Sequence, residues 1–123
     1  MRTARSPLRQ IGRLLLDVRY EPASIWLIFA RDYLPFGIPR AVRTLRHLLA
    51  DPVEKKLSGV GVPAVVVRGE HDPIAPRRWT AEVAAGLPNG SWVEVAGAGH
   101  VTHYGDPRAV ARIVSDLLAE TTE

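Results

Sequence analysis

The sequence predicts an α/β protein, and three observations carry that expectation. Residues 62–67 read VPAVVV, a nearly continuous β-branched run of the kind that forms a strand covered on both faces. Residues 91–95, SWVEV, read as a second, shorter strand. The stretch between them places Trp79, Val83 and Leu87 at helical spacing, and a helical crossover of that length makes the two strands parallel.

The elements follow in order along the chain. Leu8, Ile11, Leu15 and Val18 recur at three and four residues, which predicts an amphipathic helix over about 7–19. Pro22 opens a second helix with Trp26, Phe29, Ala30, Tyr33 and Leu34 on one side, and the prolines of LPFGIP end it. Pro39 starts a third, whose Val42, Leu45 and Leu49 share a face. The turn-forming stretch DPVEKKLSGVGVP then connects to the first strand, within which Pro63 fits only near the beginning. After SWVEV come two glycines and a loop, then Asp106 as the N-cap and Pro107 as the first residue of a last helix. That helix carries Val110, Ile113, Val114, Leu117 and Leu118 on one stripe. The chain divides into a helical segment, 1–58, and an α/β portion, 59–123.

Composition narrows the function. At 46% hydrophobic and 24% charged, the 123 residues suit a globular unit. The absence of cysteine excludes a disulfide framework, a thiolate nucleophile and a cysteine zinc site. No apolar run approaches membrane-spanning length and the start lacks a signal-peptide pattern, so a cytoplasmic protein without membrane association is expected. The net charge of +3 is uneven, since residues 1–50 hold nine arginines against Asp17, Glu21 and Asp32. Those arginines alternate with apolar residues at helical spacing and have no interleaved aromatic platform, the pattern of a solvated helix face, so no nucleic-acid partner is expected. The competing reading of the basic half is a non-catalytic helical module that binds a partner protein or an anionic surface.

Chemistry concentrates in two loops that follow the C-terminal ends of the strands, where open α/β sheets place their ligands. The first, RGEHDPIAP, offers Asp72, and the second, GAGHVTHYGDP, offers His100. A carboxylate bonded to one imidazole nitrogen aims the other at a substrate and stabilises the imidazolium once it forms. Gly97 and Gly99 let the backbone turn off the strand and bring the ring to the carboxylate. His71 and His103 add histidines nearby, but H-D and H-x-x-H on loops match no strong ligand pattern, so no metal is expected.

VPAVVVRGEHDPIAP and VAGAGH resemble the C-terminal portion of the α/β-hydrolase fold family. That portion reads as a strand of the type P-x-L-V-V-x-G-E-x-D-x-I-x-P, then a helix, a short strand, G-x-G-H and a final helix. The resemblance covers about residues 60–120 and implies that Asp72 is the catalytic acid and His100 the catalytic histidine. It also implies that residues 1–58, including ARDYLPFG, form a helical cap, with Trp26, Phe29 and Tyr33 packing it or lining a substrate pocket.

The family places its nucleophile upstream in a G-x-S-x-G elbow, together with the oxyanion hole. Ser6, Ser24, Ser58, Ser91 and Ser115 all lack that glycine frame. The resemblance therefore implies the C-terminal part of a serine-type hydrolase for esters, thioesters or carbon–carbon bonds, with no nucleophile in these residues and no cofactor. A small-molecule substrate is expected in the complete enzyme, with a complementing N-terminal chain or a homo-oligomer as partner. Without a nucleophile and an oxyanion hole this stretch is expected to be inactive by itself, and because two strands are a small piece of sheet it is expected to be either poorly soluble or loosely packed.

Overall fold

The computed structural model describes residues 7–121, so Ser6 lies outside the described residues, as does the side chain of Leu8. Three helices come first: α1 (Pro7–Asp17), α2 (Ala23–Phe36) and α3 (Ile38–Ala50). Gly37 separates the last two, and its φ of +82° suits a residue without a Cβ. Two short 3-10 turns, Val53–Lys55 and Leu57–Gly59, fill the connection. The α/β portion runs β1 (Ala64–Gly69), α4 (Arg77–Gly86), β2 (Gly90–Val95), α5 (Thr102–Gly105) and α6 (Pro107–Glu120).

The two strands pair in parallel, with Ala64 opposite Gly90 and Gly69 opposite Val95. β1 starts two residues later than the VPAVVV run suggests because Pro63 has no N–H to give. The first bond outside the strand ladder runs instead from the Ala64 amide to the Asn89 carbonyl, at 3.0 Å. The strand extends correspondingly further, through Arg68 and Gly69, and this longer end carries the site.

Helix α4 packs across both strands and α6 packs against β1. Asp106 caps α6 as its position predicts, its Oδ1 accepting from the Ala109 amide at 2.9 Å. The apolar core is small: among the described residues it consists of Ile25, Leu57, Val83, Ala84, Val95 and Ala98. A strand covered on both faces was expected, yet Ala64 to Val67 are only half-buried, because among the described residues β1 has a single neighbouring strand. The stripes of α1 and α6 are likewise only partly covered, with Leu15 70% and Leu118 62% exposed. No described helix is long and apolar enough to cross a membrane.

Candidate active site

The site sits where β1 and β2 end. Beyond the strands the two chains stay bonded: the Glu70 amide donates to the Val95 carbonyl at 2.9 Å and the His71 amide to the Ala98 carbonyl at 3.0 Å. The Glu70 side chain also accepts from the Gly97 amide at 2.8 Å. Gly97 makes the turn off β2 with φ +70°. Gly69 and Gly99 serve close approach instead. A Cβ on Gly69 would collide with the carbonyl oxygens of Ala98 and Gly99, so β1 runs directly against the histidine loop only because residue 69 has no side chain.

These contacts bring Asp72 and His100 together across 28 residues of sequence. His100 Nδ1 lies 2.9 Å from Asp72 Oδ2, the carboxylate being buried and the imidazole side chain 42% exposed. The second carboxylate oxygen, Oδ1, accepts from the amides of Ile74 (2.7 Å) and Ala75 (3.0 Å), so Asp72 closes its own loop while it holds the ring. Burial pushes the Asp72 carboxyl up. The His100 bond, the Ala75 and Ile74 amides and the imidazolium charge outweigh that and hold it below the usual carboxylate value. The bond to Asp72 raises His100 and burial opposes it, and the charges of Asp72, Asp17 and Glu21 complete a net rise.

The linkage signs set a pH window. A depressed Asp72 stabilises the fold above its ordinary 3.8, and that contribution is lost as pH falls through the depressed value. An elevated His100 contributes fully below its ordinary 6.5, and its share is lost as pH rises through the raised value. The stability difference between the parent and His100→Gln, followed by urea unfolding, should therefore be largest between these two ordinary values and shrink on either side. A difference that stays flat with pH would mean that the two groups are not ionically coupled.

Arg68 braces the acid loop from below, and nothing in the sequence pattern pointed to it. Buried at the end of β1, its guanidinium donates to the carbonyls of Ala75 (2.8 Å), Asp72 (2.9 Å) and Glu70 (3.1 Å) and pairs with Glu94 of β2. Asp17 and Glu21, also unmarked by any motif, reach the histidine loop from the end of α1. Asp17 Oδ1 accepts from the His100 amide at 3.1 Å and Glu21 Oε1 from the Val101 amide at 2.6 Å. Only the paired strand register and the return of the helices reveal these partners.

His100 lines a pocket of about 340 Å³ with Leu48, Leu49, Ile74, Ala75 and Trp79, where Asp51 and Glu54 add charge. Trp26, Phe29 and Tyr33 line a different pocket, about 550 Å³ and almost wholly apolar, between α1, α2 and α3. Leu48 borders both. Successive rings of α2 meet edge to face or tilted, with Trp26 and Phe29 5.5 Å apart and Phe29 and Tyr33 5.8 Å apart. His71 stacks on Tyr20 at 4.6 Å, and His103 is exposed on α5. No group of three or more histidine, aspartate or glutamate side chains among the described residues is arranged to hold a metal ion.

A parallel strand pair flanked by helices, with an acid and a histidine on the loops that leave it, is the C-terminal architecture of the α/β-hydrolase fold. The chain belongs to that family: residues 47–123 match the family model described as TAP-like protein. Among solved structures it is similar to a thermophilic esterase from Thermogutta terrifontis, determined with malate bound, at 19% identity and a TM-score of 0.54. The match covers 94% of this chain and 51% of the esterase chain, so the chain spans about half the length of that neighbour. A search of curated proteins gives no significant match.

Proposed function

We propose that these residues supply the acid and the base of a serine-type hydrolase whose nucleophile and oxyanion hole come from elsewhere. The observation that carries this reading is the 2.9 Å contact between His100 Nδ1 and a buried Asp72 whose remaining oxygen is tied to its own loop. With the Nδ1 proton committed to Asp72, Nε2 is the nitrogen that accepts a proton from an attacking hydroxyl. The imidazolium so formed faces Asp72 and then returns the proton to the leaving group. The substrate is a small molecule with an ester, thioester or carbon–carbon bond to be cleaved, and we put the ester first because the structural neighbour is titled an esterase. The helices of 1–58 act as the cap, and the apolar pocket of Trp26, Phe29 and Tyr33 takes the substrate's apolar part across Leu48 from His100. Proton transfer through His100 and Asp72 draws on no metal and no organic cofactor.

The missing parts would arrive on a complementing N-terminal polypeptide, since another copy of these residues has no G-x-S-x-G serine to give. The test pairs a p-nitrophenyl ester with a fluorophosphonate serine label. The 123 residues alone are expected to give neither turnover nor label. Together with a companion polypeptide that carries G-x-S-x-G and the preceding strands, they should give both, with the label on the companion. Turnover by the chain alone that survives both His100→Ala and Asp72→Ala would overturn the proposal, as would an assembled pair that stays inert.

A further inference from the structure

The histidine loop is held from two sides, and only one of them is the acid loop. On the other, the end of α1 and the turn after it deliver two carboxylates, Asp17 and Glu21, both buried. Each takes one backbone amide of the loop, His100 N for Asp17 and Val101 N for Glu21. The approach is close enough to dictate the sequence of the loop. A Cβ on Gly99 would lie 2.5 Å from Glu21 Oε1 and 3.2 Å from Asp17 Oδ1, so a side chain there would push the two carboxylates back from the loop. This, and not a left-handed turn, is what Gly99 provides, since only Gly37 and Gly97 among the described glycines have positive φ.

Burying two carboxylates near a third, Asp72, is costly unless something compensates. The amide bonds and the imidazolium charge offset only a part of that cost at Asp17. Burial raises Asp17, the His100 amide lowers it, Glu21 raises it further, the His100 charge lowers it and Asp72 raises it, leaving it above the ordinary value. Among the described residues, the charged groups that face His100 are thus Asp72 from the acid loop and Asp17 and Glu21 from the helical segment, with Asp51 and Glu54 across the shared pocket, all of them acidic.

We infer that Asp17 and Glu21 are positioning residues for His100: they fix its backbone through the amides of His100 and Val101 and set two further carboxylates beside the histidine loop. The helical segment thereby sets the readiness of the base as well as covering the site. The inference rests on His100 being the proposed base, but its test needs no turnover and so can fail or succeed independently of the hydrolase reading.

The test is ring-proton NMR titration of His100 in the full chain, with the exposed His47 and His103 as references in the same spectra, alongside amide exchange at His100 and Val101. Asp17→Asn and Glu21→Gln keep a carbonyl acceptor and remove the charge, so each should move the His100 midpoint to lower pH. Asp17→Ala and Glu21→Ala remove the acceptor as well and should speed exchange at their own amide by about tenfold or more, as expected for loss of a charge-assisted bond. A His100 midpoint unchanged in both amide variants would overturn the inference, whatever their effect on stability. If the alanine variants unfold the chain, the amide variants alone decide it.

Discussion

Replacing His100 by alanine in the assembled enzyme is expected to lower kcat by about a millionfold, the loss that follows removal of the base from a triad that works as a unit. Asp72→Asn should cost about ten-thousandfold, although it is nearly isosteric. The reason lies in the two jobs of the carboxylate. The asparagine carbonyl can still accept from the Ile74 and Ala75 amides, so the loop keeps its shape. Its amide then faces His100 Nδ1 and donates to it, which puts the imidazole proton on Nε2, the nitrogen that has to be empty. Asp72→Ala adds a structural loss by leaving those two loop amides without their acceptor. The measurement is kcat on a p-nitrophenyl ester, together with the melting temperature of each variant. The double variant His100→Ala, Asp72→Asn should be no slower than His100→Ala alone, since an orienting group has nothing left to orient. An Asp72→Asn enzyme within about tenfold of the parent would remove the aspartate from the mechanism.

Asp72 and His100 were legible because both stand one loop beyond a strand end, and strand ends are marked in sequence by where apolar runs stop. The same feature explains what could not be read. Arg68 occupies a strand position, where period-two alternation gives no sign of burial. It becomes buried because the register sets it opposite Glu94, 26 residues away, and because the acid loop folds back over it. Asp17 and Glu21 are more distant still, 83 and 80 residues before their partners, and in sequence they look like ordinary acids at the end of an arginine-rich helix. Local pattern marks the two residues that meet at the strand ends, whereas the groups that hold them come from chain crossings that no local pattern encodes.

The apolar stripes tell a related story. Leu15 on α1 and Leu118 on α6 fall on the predicted faces, yet both are largely exposed, while Val110, Ile113 and Leu117 of α6 are half-buried. Leu14, Leu15 and Val18 turn toward the aromatic side chains of α2 across the larger pocket instead of burying themselves in a core. The periodicity was a sound guide to which residues face one way. What they face depends on how many layers surround the sheet, and a two-stranded sheet supplies few.

Arg68→Met should then be the most damaging single change to the fold, at about 2–4 kcal/mol, even though methionine fills much the same space. Four acceptors depend on that guanidinium: the carbonyls of Glu70, Asp72 and Ala75, and the Glu94 carboxylate. Methionine leaves the three carbonyls without their donor. Glu94 keeps only the more distant Arg77, whose Nε is 3.7 Å away and whose side chain is largely exposed. Arg68→Lys should recover a part of the loss, because a single ammonium can reach one or two of these acceptors but cannot present the planar fork that meets them all. The injury should also reach the Asp72–His100 pair. The Asp72 carbonyl is one of the atoms released, so its loop should loosen and the His100 titration midpoint should fall toward its ordinary value. Urea unfolding and the same NMR titration measure both effects on one sample. A stability loss without a change at His100 would confine Arg68 to holding the strands together, and neither change would mean that its bonds are replaced by water at no cost.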